Sequence, residues 1–163
     1  MVTWNELAAE APEIAAAGER LLRRTEIGEG MLATAAPDAP PRLHAVYAEI
    51  VDGRLLTFVQ SASAKAADLA ADGRYAFHAH IDPLQPDEFA VRGTAREVTD
   101  ASLLAGAVDA WPFDAADGYR LFELDIAWAL HGSRPTEDDW PPIYRSWRVG
   151  RRSATRGTAP AKG

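Results

Sequence analysis

Residues 42–81 read RLHAVYAEIVDGRLLTFVQSASAKAADLAADGRYAFHAHI, and their pattern predicts a strand, a turn, a strand, a short helix and a third strand. We place the turn at Asp52-Gly53, because these residues lie between two alternating apolar runs and supply the positive φ angles of a two-residue hairpin. The helix begins after Ser63, whose hydroxyl can accept a hydrogen bond from a free backbone N–H. It ends at Gly73, since glycine readily adopts the left-handed conformation of a helix terminus.

The entrance of this helix, Ser61 to Lys65, carries two hydroxyls and one ammonium group. A helix N-terminus bears partial positive charge and free N–H groups, so this segment predicts a seat for a phosphate. Arg42, at the head of the neighbouring hairpin, can reach the same anion with its planar fork. The alternative is that Ser63 only caps the helix while Lys65 and Arg42 are solvated surface charges, and the spacing alone leaves both open.

Length and composition restrict the classes of protein to consider. The 163 residues suit one domain with a sizeable core. With 24 acidic and 17 basic residues the formal charge is −7, which argues against nucleic acid and against an anionic membrane surface as partners. The absence of cysteine excludes disulfides, thiolate nucleophiles and cysteine-ligated metals. Neither a signal peptide nor an apolar run of membrane length is evident, so we expect a cytoplasmic protein.

The flanking sequence adds helices and further strands. Thr3 and Glu6 have the spacing of a capping box, and Pro12 begins a second helical piece, so residues 3–24 form N-terminal helices. Another short helix is predicted over 103–111. The strands share a two-residue apolar period and cover 31–35, 42–50, 54–60, 74–81, 88–98, 119–130 and 144–149. Residues 150–163 lack any apolar period, so we expect residues 1–149 as a single domain followed by a disordered tail.

Six or seven strands with a few helices predict a mainly β fold, a small antiparallel barrel with flanking helices. Gly93, inside a predicted strand, indicates a bend of the kind that barrels need. Four aromatic residues late in the chain indicate that a second subunit covers part of the surface, although each of them also suits an ordinary core. They are Trp128, Trp140, Tyr144 and Trp147.

Taken together, the motifs resemble those of a known family. In order they are GMLATAA, Pro-Arg-Leu-His-Ala-Val, DGRLLTFVQ, S-x-S-x-K-x-x-D-L, DGRYAFHAH and EFAVRGTAREV. This series resembles the pyridoxamine 5′-phosphate oxidase-like, FMN-binding split-barrel family over residues 30–100, and more weakly over 119–149. The resemblance implies a six- to seven-stranded antiparallel split barrel that forms a homodimer, with FMN in a cleft between the subunits.

The resemblance also implies roles for particular residues. Arg42, Ser63 and Lys65 correspond to the family's phosphate ligands, with Ser61 beside them at the helix entrance, while Ala64 replaces the first basic residue of the Ser-Arg-Lys motif. The strand backbone at Phe58 and Val59 corresponds to the segment that lines the isoalloxazine ring. Glu88 stands where several members have a glutamine that touches the flavin. Trp128 corresponds to a late-strand tryptophan that borders the cofactor from the other chain.

The implied activity is that of a flavin-dependent oxidoreductase acting on a small molecule. The family's Arg-Leu-His-Asp-Arg substrate signature is replaced by His131-Gly132-Ser133-Arg134, so we do not expect pyridoxamine phosphate as substrate. Because a flavin brings its own hydride chemistry, the protein needs only to bind, orient and shield it. No catalytic residue is assigned from the sequence.

Two alternatives remain open on the same fold. In the first alternative the cofactor is the deazaflavin F420 instead of FMN. The departures from the family's FMN motif at Ala64 and Glu88 are compatible with this exchange. The other is a non-catalytic dimer that binds haem or another small ligand. His78 and His80 lie two residues apart and therefore face the same side of a strand, with His44 on an adjacent strand. These histidines either contribute to a haem or metal site or are polar residues on the solvated face, and we assign no metal ligands.

Overall fold

The computed structural model describes residues 1–25, 27–36, 39–115, 117–134, 136 and 140–156. Its α-helices in this part of the chain are α1 (Trp4–Glu10), α2 (Pro12–Leu22), α3 (Ala64–Ala71) and α4 (Ala101–Ala110). Its strands are β1 (Glu29–Ala36), β2 (Ala39–Tyr47), β3 (Glu49–Val51), β4 (Arg54–Gln60), β5 (Arg74–Ala79), β6 (Glu88–Glu97), β7 (Tyr119–Ser133), β8 (Ile143–Arg148) and β9 (Arg151–Arg156). Within the described residues, no helix is long and apolar enough to span a membrane.

All neighbouring strands pair antiparallel, in the order β2-β1-β5-β6-β7-β4-β3, with β8 added to β7 and β9 to β8. The sheet curls into a barrel because β2 and β3 are nearly one strand, interrupted at Ala48. β2 pairs with β1 at one edge, and β3 pairs with β4 at the other. The predicted mainly β fold, an antiparallel barrel with flanking helices, is confirmed.

Local sequence signals position the elements as expected. Asp52 and Gly53 have φ of 49° and 70° in the β3–β4 hairpin. The Thr3 hydroxyl accepts from Glu6 N at 3.3 Å and the Glu6 carboxylate accepts from Thr3 N at 2.7 Å, so the capping box forms. At Gly93 a Cβ would lie 1.9 Å from the Asp125 carbonyl oxygen, and the register of β6 against β7 shifts there. Only glycine permits this close approach.

The described residues form two buried apolar clusters. The larger one occupies the barrel interior and continues under α1 and α2, where the Trp4 ring meets the Phe89 ring edge-to-face at 5.8 Å. The smaller one lies under α4, where Leu103 and Trp111 pack against β4 and β7. Helix α4 therefore covers one side of the barrel. Phe58 belongs to this cluster and also lines the cavity described below.

The structure differs from the sequence predictions at two places. The predicted strand 42–50 is interrupted at Ala48, whose N–H donates to the Gly28 carbonyl at 2.8 Å. The predicted tail begins with a strand instead, because Gly150, with φ of 73°, lets the chain reverse so that Arg148 faces Arg151 across the β8–β9 pair. These two features account for nine strands in the described part of the chain against the expected six or seven. Residues 157–163 of the predicted tail lie outside the described residues.

Candidate functional site

A cavity of about 800 Å³ opens beside the barrel, where β1, β2, β4 and β5 meet the segment that joins α4 to β7. Its volume lies in the range of sites that hold small molecules and cofactors. Aromatic residues form one side, namely Tyr47, Phe58, Phe113 and Tyr119. The polar side chains of the lining are those of Glu29, Gln60, Lys65, His78 and His80. The barrel rim thus combines an aromatic wall with an ammonium group, two imidazoles and the carboxylate of Glu29.

The aromatic wall is a continuous series of ring contacts. The Phe113 ring lies 6.0 Å from that of Tyr47 and 5.3 Å from that of Tyr119. Behind them, the Trp111 ring meets the Phe58 ring edge-to-face at 4.9 Å, and Phe58 is only 5% exposed. Rings held by neighbouring rings offer a rigid apolar surface, which suits a planar aromatic ligand.

The entrance of α3 borders the cavity next to the pair Gln60–Tyr119. Ser63 caps this helix, because its hydroxyl accepts from Ala66 N at 3.3 Å and donates to the Gln60 carbonyl at 2.6 Å. The Ser61 side chain is exposed, and its N–H donates to the Gly118 carbonyl at 2.9 Å. The Ser63 hydroxyl is therefore engaged in capping, whereas Lys65 lines the cavity. The positive helix end and the ammonium group stay available for an anion.

Arg42 is held by Asp68, the acidic position of the S-x-S-x-K-x-x-D-L motif, to which the sequence analysis assigned no role. Its Nη1 donates to both carboxylate oxygens of Asp68, at 2.6 and 2.8 Å. The Thr34 hydroxyl donates to the same carboxylate at 2.7 Å. These hydrogen bonds, the one from Thr34 first, lower the pKa of the Asp68 carboxyl although burial opposes them. Arg42 lies outside the cavity lining and is fixed against α3.

His44 lies near Arg42 and Lys65, two of the predicted phosphate ligands. The Thr34 hydroxyl donates its one hydrogen bond to Asp68. In the 3.3 Å contact between His44 Nε2 and Thr34 Oγ1, the imidazole N–H is therefore the donor. Burial lowers the pKa of His44, and the charges of Lys65 and Arg42 add to this effect while Asp68 opposes it. Arg42 and Lys65 therefore act on the same imidazole and belong to one side of the molecule.

This cluster carried a sequence signal that was available but not used. Lys65 and Asp68 are three residues apart and therefore share a face of α3. Arg42 and His44 are two residues apart and share a face of β2. When a strand face with two basic residues packs on a helix face with an acid, the acid is expected to pair with one of them.

His78 and Glu88 form a second polar group beside the cavity. His78 Nδ1 donates to the Ala79 carbonyl at 2.7 Å, and His78 Nε2 lies 3.4 Å from Glu88 Oε2. The Tyr144 hydroxyl donates to Glu88 Oε1 at 2.7 Å, which, with burial, raises the pKa of Tyr144. Glu88 thus lies behind His78 and outside the cavity lining. Among the described residues, no group of three or more acidic or histidine side chains is arranged to hold a metal ion.

Two further predicted site residues, Val59 and Trp128, do not line the cavity. The Val59 side chain is 1% exposed and faces the barrel interior, so only its backbone can meet a ligand. Trp128 is half-buried on the second half of β7, where the Arg92 guanidinium lies 4.3 Å from the centre of its ring. Phe58 and Lys65 line the cavity, and the structure places Arg42, Val59, Ser61, Ser63, Glu88 and Trp128 outside the lining.

No protein-family model and no curated protein matches the sequence. Solved structures do resemble the chain. A pyridoxamine 5′-phosphate oxidase-related, FMN binding protein from Nostoc punctiforme PCC 73102 aligns with a TM-score of 0.63 at 14% identity, covering 92% of this chain and 97% of the other. PhzG from Burkholderia lata 383, in complex with tetrahydrophenazine-1-carboxylic acid, aligns with a TM-score of 0.61 at 14% identity, covering 96% and 91%.

A heme binding protein from Mycobacterium smegmatis aligns with a TM-score of 0.61 at 18% identity and covers 82% of this chain. The chain spans only 57% of that protein's length. At these identities the likeness shows the fold, which is the split barrel, and so confirms the resemblance at that level. The same fold accommodates an FMN binding protein and a heme binding protein among these neighbours.

Proposed function

We propose that this split-barrel protein binds FMN in the cavity beside α3 and acts as a flavin-dependent oxidoreductase on a small molecule. The observation that carries this proposal is the pairing of an aromatic wall with a positively charged end in one cavity of about 800 Å³. An isoalloxazine ring needs the first feature and a phosphate needs the second. The FMN binding neighbour with the same fold supports the choice of ligand.

The residues present fit this ligand. Lys65 and the N-terminus of α3 would hold the phosphate, with the exposed Ser61 hydroxyl close to the same helix end. Arg42 uses Nη1 for Asp68, and in the described part of the chain its Nε and Nη2 have no hydrogen-bond acceptor. The backbone at Phe58 and Val59 and the neighbouring rings would orient the flavin and exclude water. The bound flavin itself supplies the hydride chemistry.

We further propose a homodimer with the cofactor at the subunit interface. The outer face of β1 and β2 exposes large apolar side chains next to the cavity, with Leu43 64% and Met31 40% exposed. Met31 lies between Ala45 and His78 in the strand register, and all three line the cavity. Contiguous exposed apolar surface of this kind is typical of an interface. A second copy that covers this face would also close the cavity.

The first experiment is a visible absorption spectrum of the freshly purified protein, followed by titration with FMN. Lys65→Gln should weaken FMN binding about tenfold to about a hundredfold, the worth of a charge-assisted hydrogen bond. Arg74→Gln removes an exposed charge outside the cavity and serves as the matched control. Equal affinity of wild type and Lys65→Gln would refute the phosphate seat. Preferential binding of F420 over FMN would assign the deazaflavin as the cofactor instead.

Haem is the second candidate, because one histidine on the cavity wall is uncommitted. His80 is exposed, lines the cavity and has no side-chain hydrogen bond to the described residues, whereas both ring nitrogens of His78 have partners. An axial ligand needs a free imidazole nitrogen. Binding of haem with a Soret shift that His80→Ala abolishes would establish this candidate. Unaltered FMN binding in the same variant would show that His80 is not a flavin ligand.

A further inference from the structure

His44 belongs to a cluster of polar and charged side chains from β1, β2 and α3. Arg42 and His44 share one face of β2, and the Thr34 hydroxyl of β1 contacts both His44 and Asp68. The charged groups that act on the imidazole are Arg42 on its own strand and Lys65 and Asp68 on α3. The flavin function proposed above gives His44 itself no role.

The hydrogen bonds of this cluster determine which ring nitrogen of His44 is basic. Nε2 donates to Thr34 Oγ1 at 3.3 Å, because the Thr34 hydroxyl is itself the donor to Asp68. The neutral imidazole therefore has its lone pair on Nδ1. In the described part of the chain Nδ1 has no hydrogen-bond partner and is not one of the buried polar atoms, so it is open to solvent. A further proton would bind at Nδ1 and make this atom a hydrogen-bond donor.

The charges around His44 favour an anion and oppose a proton. Both carboxylate oxygens of Asp68 accept from Arg42, whereas Lys65 forms no ion pair with the described residues. Arg42 and Lys65 therefore outweigh Asp68 by one positive charge while His44 is neutral. Burial lowers the pKa of His44, and the charges of Lys65 and Arg42 lower it further while Asp68 opposes them. An anion bound at Lys65 would offset this repulsion and allow the imidazole to accept a proton.

We propose that His44 is a further anion-binding residue of the phosphate seat at Lys65, and that it takes up a proton when the anion binds. The proton comes from solvent and is held at Nδ1, so the imidazolium adds a positive charge beside Lys65. Because linked equilibria affect each other equally, anion binding promotes protonation and protonation strengthens anion binding. This inference rests on the proposed phosphate seat and adds to it a dependence of affinity on pH.

The test is calorimetric titration with inorganic sulfate at constant ionic strength. Sulfate keeps two negative charges between about pH 5.5 and about pH 7.5, whereas the phosphate group of FMN itself takes up a proton at about pH 6. The wild-type protein should bind sulfate about threefold to tenfold more tightly at about pH 5.5 than at about pH 7.5. Titrations in buffers of different ionisation enthalpy should show that protons are taken up as sulfate binds.

His44→Gln removes the titrating group and keeps an amide that can donate to Thr34. This variant should bind sulfate equally at both pH values and without proton uptake. The matched control is His131→Gln, which removes another imidazole of lowered pKa, beside Asp87 and outside the cavity lining. The control should keep the pH dependence of the wild type. The same pH dependence in wild type and His44→Gln would overturn the proposal.

Nuclear magnetic resonance of the wild-type protein gives the same test without depending on a folded variant. Sulfate should raise the pKa of His44 measured from its ring resonances, and an unchanged pKa would also overturn the proposal. In the absence of sulfate, Lys65→Gln should raise this pKa, because it removes a charge that repels the proton.

Lys65→Gln also separates this inference from the proposed function. If sulfate does not bind, or binds equally to wild type and Lys65→Gln, the phosphate seat is refuted and the role of His44 with it. If sulfate binding requires Lys65 but causes no proton uptake at His44, only the role of His44 is refuted.

Discussion

Arg42 and Asp68 form an ion pair in which one guanidinium nitrogen donates to both carboxylate oxygens, at 2.6 and 2.8 Å. The Asp68 side chain is 6% exposed and that of Arg42 is 41% exposed. The pair therefore links a buried carboxylate of α3 to a guanidinium group near the surface. A carboxylate this buried needs its partners, and Thr34 provides the third hydrogen bond. The pair fixes one edge of the guanidinium against α3, which makes Asp68 a positioning residue for Arg42.

The first prediction concerns Asp68→Asn. The pKa of Asp68 is lowered by the hydrogen bonds from Thr34 and Arg42, so its contribution to stability is present above the unfolded value of about 3.9 and is lost as pH falls below it. We expect Asp68→Asn to reduce the free energy of unfolding by about 1–3 kcal/mol at about pH 7, and the difference from wild type to narrow towards about pH 3. Urea unfolding at both values measures this. Asp109→Asn, an exposed carboxylate of α4, is the control, and a constant difference across pH would contradict the prediction.

His44 gives a pH dependence in the opposite range. Burial and the neighbouring Lys65 lower its pKa in the folded protein, so the unfolded chain binds a proton more readily. The contribution of neutral His44 to the free energy of unfolding is therefore fully present above its pKa in the unfolded chain, about 6.5. It declines as pH falls from there towards the lower pKa in the folded protein. His44→Gln should lose less stability than wild type between about pH 7.5 and about pH 5.5. Thermal unfolding at the two pH values checks this, and parallel losses in the two proteins would refute it.

A third prediction compares two glycines. Gly132 lies between Glu88 and Tyr144 in the strand register, and a Cβ there would come within 2.7 Å of Glu88 Cγ and 2.8 Å of Tyr144 Cε1. Gly132→Ala should therefore separate the Tyr144–Glu88 hydrogen bond and destabilise the fold by about 1–3 kcal/mol. Gly106 is the matched control, because a Cβ on this residue of α4 meets only ordinary contacts at 3.7 Å and beyond.

Gly106→Ala should stabilise the protein by about 0.5–1 kcal/mol, since alanine favours the helix over glycine. Urea unfolding of the two variants against wild type gives both signs in one experiment. Equal shifts in both variants would mean that the Glu88–Tyr144 contact does not depend on the glycine between them.

The sequence predicted those features that depend on near neighbours in the chain. The Asp52-Gly53 turn, the Ser63 cap and the Thr3–Glu6 capping box each depend on residues within a few positions of one another, and each is confirmed. The two-residue alternation of apolar and polar residues along the strands was sufficient to predict an antiparallel barrel. Phe58 and Lys65, two of the predicted cofactor residues, line the cavity.

Features that depend on distant pairs were not predictable in the same way. Arg42 and Asp68 are separated by 26 residues, and which acid meets which base is decided by how α3 packs on β1, the strand beside β2. The break at Ala48 depends on the close approach of Gly28, where a Cβ would lie 1.8 Å from the Ala48 carbonyl oxygen. Strand β9 has no apolar period, since backbone pairing with β8 is sufficient to define it.

The last prediction concerns the proposed dimer. Leu43 is 64% exposed on the outer face of β2, opposite Ala33 on β1, which in turn faces Ala76 on β5. This row of apolar residues is surface that a second copy would cover, so Leu43→Glu places a charge in the interface and should weaken self-association about tenfold or more. Leu84→Glu is the matched control, since Leu84 is 89% exposed on the β5–β6 connection and away from this face.

Analytical ultracentrifugation over a range of concentrations measures both variants against wild type. Because the cofactor is proposed to lie at the interface, Leu43→Glu should also lose FMN affinity in step with the loss of dimer, while Leu84→Glu keeps both. A monomeric wild-type protein would contradict the dimer directly. Dissociation with unchanged FMN affinity would instead show that one chain holds the ligand alone, and would confine the binding determinants to Lys65, Arg42 and the aromatic wall.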